Sequence, residues 1–102
     1  MGIYVKNQKL YICMSGDIDH HSAAVLREES DKVLEREYIK EIVFDFEGIK
    51  FMDSSGIGLI MGRFRQASYN NAKISLTNVP RYIDRMLEMA GIYSIIKDVH
   101  RV

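Results

Sequence analysis

Phe51-Met52-Asp53-Ser54-Ser55-Gly56-Ile57-Gly58 is the stretch that decides the fold of this chain. It sets a carboxylate and two hydroxyls where a strand-loop unit hands over to a helix. Downstream, Ile57, Ile60, Met61, Phe64 and Ala67 recur at helical spacing until Asn70-Asn71 breaks the pattern. The first backbone N–H groups of a helix have no intrahelical partner, and the helix dipole adds partial positive charge there. A side-chain oxygen at this point caps the helix, and a phosphate on the same oxygen is tolerated because helix N-termini favour anions. Asp-Ser-Ser-Gly ahead of an apolar periodic run is also what an ordinary N-cap looks like. The two roles are compatible. Gly58 and Gly62, one turn apart, are expected to let this helix approach its neighbours closely.

Upstream, Ile42-Val43-Phe44-Asp45-Phe46 has the β-branched and aromatic composition of a central buried strand. Residues 22–38 carry helical spacing, with Leu26, Ser30, Val33 and Leu34 on one face and charges on the rest. Residues 3–6 and 9–14 are short apolar runs around Asn7-Gln8, an antiparallel hairpin in outline. Ser15-Gly16-Asp17 reads as the end of the second run. Downstream, residues 73–77 predict a strand. Pro80 opens a third helix with Met86, Leu87 and Ala90 on its apolar side, and Gly91 is placed as its cap. Residues 93–99 form a last strand or an extended tail. The expected order is β-β-α-β-α-β-α with a weak final β. That is one α/β domain over residues 1–102, built on a mixed, mostly parallel sheet.

Composition narrows the function classes. Fourteen basic and fourteen acidic residues give a formal net charge of zero. Nucleic-acid and anionic-membrane binders rest on an excess of Lys and Arg, so neither partner is expected. No apolar run approaches the roughly 18–20 residues of a membrane span. The N-terminus has no signal-peptide pattern, and the single Cys13 cannot form an internal disulfide; a cytoplasmic location is expected.

The chain resembles the STAS-domain anti-sigma factor antagonists. Residues 51–58 look like the family's signature loop, and Ser15-Gly16-Asp17-Ile18-Asp19-His20-His21 resembles the segment ending its second strand. Leu59-Ile60-Met61-Gly62-Arg63-Phe64-Arg65-Gln66 is similar to the helix after the phosphorylated serine, and Met89-Ala90-Gly91-Ile92-Tyr93-Ser94-Ile95-Ile96 to the C-terminal segment. The paired histidines and the Gly62-Arg63 step favour the sporulation branch over the stress-response one. The resemblance implies a STAS fold and a regulator that is not an enzyme. It places the phosphoacceptor at Ser55, with Asp53 and Ser54 in the adjoining motif positions. The implied partner is an anti-sigma factor that is also a serine kinase, engaged with its bound nucleotide. Binding of the unmodified form frees a sigma factor, phosphorylation ejects the antagonist, and a metal-dependent serine phosphatase restores it. No cofactor is implied for the chain itself.

Asp17, Asp19, Asp53, Ser54, Ser55, Gly56 and Arg63 are therefore the candidate partner contacts. Each has a plainer reading. Asp17 and Asp19 also suit a strand end and its turn, and Arg63, like Arg65, suits a solvated helix face. His20 and His21 are adjacent and point about 100° apart on a helix, which is poor for chelation. Gly56 to Gly62 is neither a dinucleotide fingerprint nor a phosphate loop. The serines lie in no Gly-x-Ser-x-Gly elbow, so a hydrolase has little to rest on. Met86 and Met89 are expected in the core, and Cys13 as an inert buried thiol.

Overall fold

The computed structural model of the chain describes residues Met1–Val102. The hairpin forms as expected. β1 (Gly2–Lys6) and β2 (Lys9–Cys13) pair antiparallel, with Lys6 opposite Lys9. Asn7 and Gln8 between them sit at φ 54° and 64°. Two consecutive left-handed residues make the kind of tight turn whose twist matches that of paired strands.

β4 (Glu41–Asp45) is the central strand, parallel to β2 on one side and to β6 (Lys73–Val79) on the other. β7 (Asp98–Arg101) adds to the far edge of β6, giving the order β1-β2-β4-β6-β7. The register puts Leu10, Ile42 and Ile74 in one row and Ile12, Phe44 and Leu76 in the next. Alternate strand residues share a face, so both rows point the same way. The second row is completely buried. It joins Leu26 of α1 (His20–Arg36), Ile60 of α2 (Ser54–Tyr69) and Leu87 of α3 (Arg81–Met89) in one apolar cluster. Each such side chain contributes about 1.5–3 kcal/mol on burial, so this face carries most of the stability.

Two strands were not expected. β3 (Gly16–Ile18) and β5 (Ile49–Met52) form a separate parallel pair, where the sequence suggests a turn and a loop. The cause lies in two glycines. Gly16 and Gly48 are left-handed, at φ 70° and 79°, and the Gly16 N–H donates to the Gly48 carbonyl at 2.9 Å. β2 and β4 already run side by side. Both chains bend at these glycines and remain paired as β3 and β5, now outside the main sheet.

The helices differ in detail from their expected faces. α1 begins at His20 because Asp19 is its cap. Buried positions on α2 are Gly56, Leu59, Ile60, Arg63 and Ala67, while Ile57, Met61 and Phe64 are half-buried. A Cβ at Gly58 or Gly62 would meet nothing within 4 Å, so close helix approach does not explain them. Gly56 is the tight position: a Cβ there would overlap Cγ and Sδ of Met52. Met86 is half-buried, but Met89, at the end of α3, is 89% exposed and not a core residue. Cys13 is only half-buried, and partial burial followed by the nearby Asp45 charge pushes its thiol pKa up.

The C-terminal segment is a 3-10 turn (Ile92–Ser94) followed by β7, with Gly91 left-handed at φ 80° where α3 ends. Asp84 of α3 ties these pieces together. It accepts from the Tyr93 hydroxyl and from Nε of Arg101 at 2.8 Å, while the Arg101 guanidinium lies 4.9 Å from the centre of the Tyr93 ring. The Tyr93 hydrogen bond foremost holds the Asp84 carboxyl below the usual aspartate range; burial opposes it, and Arg101 adds further lowering. A carboxylate with a depressed folded pKa stabilises the fold above its unfolded value, about 3.9, and loses that contribution as pH falls through the folded value. Asp84→Asn is therefore expected to lower the melting temperature at pH 7 and to shrink the further drop between pH 5 and pH 2. An unchanged acid-side drop would show that the cluster does not form.

Candidate functional site

β3 and β5 end together, and the residues just beyond their ends build the site. Ile18 pairs with Met52, and the N–H of Asp53 donates back to the Ile18 carbonyl at 3.2 Å. The next residue of each strand is an aspartate that caps a helix. Asp19 and Asp53 adopt almost the same backbone, φ −107°, ψ −169° and φ −105°, ψ −170°. Asp19 Oδ1 accepts the Ser22 N–H at 3.0 Å and Ser22 Oγ accepts the Asp19 N–H at 2.8 Å, a reciprocal capping box. Asp53 Oδ1 accepts the Ser55 N–H at 2.8 Å. The parallel strand pair thus delivers two helix N-termini side by side at one end of the molecule.

The caps explain the electrostatics. Hydrogen bonds from the Ser22 backbone and hydroxyl, in that order, lead the effects that hold the Asp19 carboxyl below the usual range, so it stays ionised through mild acid. Asp17, opposite Phe51 in β5, is exposed, as is Phe51 itself. Ser54 is exposed in the first turn of α2. Ser55 follows it, half-buried, with its backbone N–H taken by Asp53 and its hydroxyl left without a protein partner. Gly56 is buried against Met52 and Ile18, which seats α2 on the strand pair and fixes the angle at which Ser55 is presented.

Ser55 also lines a groove of about 250 Å³ between the two helices. His20, Ala23, Ala24 and Arg27 of α1 face Ser55, Gly58 and Leu59 of α2 across it. Of these α1 residues the sequence singles out only His20, as a poor chelator; Ala23, Ala24 and Arg27 do not stand out in it. The signal was the spacing: 20, 23, 24 and 27 form one helical stripe with small residues between basic ones, as 55, 58 and 59 form one on α2.

Arg63 does not join this surface. The structure corrects both its solvated reading and its place among the partner contacts. It is 5% exposed, two turns along α2, and clamps α2 to α1. Nη1 donates to Ser30 Oγ at 2.9 Å and to the Arg27 carbonyl at 3.2 Å, and Nη2 pairs with Asp31 at 3.0 Å. Burial is the leading influence on its pKa and lowers it, while Asp31 opposes that. Gln66 joins the cluster by donating to Asp31 Oδ1 at 2.9 Å. Asp17, Asp19, Asp53, Ser54, Ser55 and Gly56 are brought together at one end. Arg63 stands behind them.

Residues 3–101 match the STAS domain family. The chain is a STAS domain. It is 31% identical over 86 residues to the anti-sigma F factor antagonist of Paenibacillus polymyxa, spanning 84% of this chain and 74% of that protein. The solved structure of the anti-sigma factor antagonist SpoIIAA in its unphosphorylated form superposes with a TM-score of 0.75 at 26% identity, covering 86% of this STAS domain and 81% of that chain. The phosphorylated form of the Bacillus cell fate determinant SpoIIAA has the same fold, with a TM-score of 0.79 at 24% identity, covering 99% and 89%. The five-stranded sheet, the three helices and the STAS assignment agree with the fold expected from the sequence.

Proposed function

We propose that this STAS domain is an anti-sigma factor antagonist switched at Ser55. The unmodified face around Asp17, Asp19, Asp53 and Ser54 docks an anti-sigma factor that is also a serine kinase, with its nucleotide bound, and so releases a sigma factor for sporulation-specific transcription. Transfer of phosphate to Ser55 turns docking off, and a serine phosphatase restores it. The chain is the substrate in both reactions and the catalyst in neither. The observation that carries this reading is the Ser55 hydroxyl, partly open to solvent and free of protein partners at the start of α2. The names of its relatives, and a fold shared with solved antagonists in unphosphorylated and phosphorylated forms, support it.

Local physics suits the switch. Phosphorylation adds about −1.5 to −2 charges to a neutral hydroxyl. Asp53 and Asp19 already stand at the two neighbouring caps, so the docking face becomes strongly anionic without any refolding. The test is phosphotransfer from labelled ATP by the cognate anti-sigma kinase. The native chain and Ser54→Ala should incorporate phosphate, and Ser55→Ala should incorporate none. Label retained in Ser55→Ala would move the acceptor elsewhere and end this reading.

A further inference from the structure

The groove between α1 and α2 has a composition that docking does not require. Its walls carry two basic side chains, His20 and Arg27, and one free hydroxyl, Ser55; its other walls include Ala23, Ala24 and Gly58, whose small side chains leave space. The site of about 250 Å³ greatly exceeds the roughly 10–15 Å³ of accessible volume that one water needs. A Cβ added at Gly58 would meet nothing within 4 Å. Arg27 takes part in none of the ion pairs of the fold, although an acidic residue, Asp31, lies one helical turn away. That carboxylate is engaged by Arg63 and Gln66 instead. His20 is likewise unpaired. Arg63 donates to the Arg27 carbonyl, so the buried clamp holds this part of α1 against α2 and fixes where the Arg27 side chain starts.

We propose that this groove is an intramolecular receptor for the phosphoryl group of Ser55, with Arg27 as its main counter-ion and His20 as a second donor. The proposal rests on Ser55 being the phosphoacceptor. A phosphoserine oxygen is a strong acceptor, and a guanidinium offers it paired donors in a planar fork. Asp53 and Asp19 face the same end with opposing charge, but each carboxylate already accepts a backbone N–H of its own helix. Arg27 has no such commitment. In the phosphorylated chain the added dianion turns into the groove instead of standing out as a bare charge. Docking is then lost in two ways: the face is more negative, and the groove is filled. The same contact shields the phosphoester, which makes its removal depend on a phosphatase able to displace Arg27.

The test needs no kinase. Phosphoserine is placed at position 55 during synthesis, and its second ionisation is followed by 31P NMR. That pKa is ordinarily about 6. An adjacent guanidinium favours the dianion, so the native sequence should titrate about one unit lower than its Arg27→Ala counterpart. Arg27→Lys should restore part of the shift. Phosphoserine at position 54, which does not line the groove, should titrate at the same value whether or not Arg27 is present. Equal titration of phosphoserine 55 with and without Arg27 would overturn the proposal. Because the phosphate is installed directly, a shifted titration together with failed phosphotransfer would remove the regulatory reading and leave the groove assignment standing.

Discussion

Arg63→Ala should destabilise the fold by about 2–4 kcal/mol, the largest effect expected of any single charged residue in this chain. The side chain is 5% exposed and its three contacts all lie on α1: the Ser30 hydroxyl, the Arg27 carbonyl and Asp31. Removing one member of a buried pair costs about 3–5 kcal/mol when the other is left uncompensated in the interior. Asp31 is not so confined. Its side chain is 39% exposed, so water takes up part of its charge, and this moves the expectation toward the lower part of that range. Ser30 keeps a bond to the Arg27 carbonyl at 3.0 Å, so it is not orphaned. The rest of the loss is the void left where the long side chain packed. Urea unfolding should show a lower midpoint with an unchanged slope. A stability within about 0.5 kcal/mol of the native chain is what a surface residue gives, and would contradict the clamp.

The arginine shows where sequence spacing ends and tertiary pairing begins. Positions 60, 63 and 67 lie on one helical stripe, so periodicity alone places Arg63 beside Ile60 and Ala67 on the buried face. Its charge argues for water, and only the acidic partner on another helix tips the balance back toward burial. No local pattern reveals such a partner. The central strand was legible because Ile42-Val43-Phe44 is an unbroken apolar run, and the hairpin because its two runs are separated by a two-residue turn. β3 and β5 were not, because three and four residues are too few to display an alternation. Gly16 and Gly48 punctuate the sequence like turns, although here they bend a strand pair and keep it paired. The site was half legible. Asp53 and the serines announce a helix start, and Asp19 is the first residue of the capping box it forms. The α1 wall of the groove was hidden, since His20 and Arg27 are exposed residues and only the packing of α2 beside them shows that they share a groove with Ser55.

In the proposed switch, Ser55→Asp should weaken binding to the anti-sigma factor at least tenfold, while Ser55→Ala binds as the native chain does. A partner that docks on the neutral hydroxyl must desolvate whatever replaces it. A carboxylate there joins Asp53 and Asp19 at the two adjacent caps and Asp17 within β3, all at one end of the molecule. Tenfold corresponds to about 1.4 kcal/mol, a modest demand for one uncompensated charge at an interface. Phosphate, with about twice the charge, should exceed it by a further order of magnitude. The aspartate is an imperfect mimic for a geometric reason as well. Its carboxylate stands on a shorter arm than a phosphoryl group on the serine oxygen, so it reaches less far across the groove toward Arg27. The charge then remains at the mouth, where it acts on the partner by repulsion alone. Calorimetric titration of the three forms against the anti-sigma factor separates the possibilities: equal affinity for serine and aspartate would mean that charge at position 55 is not what releases the partner.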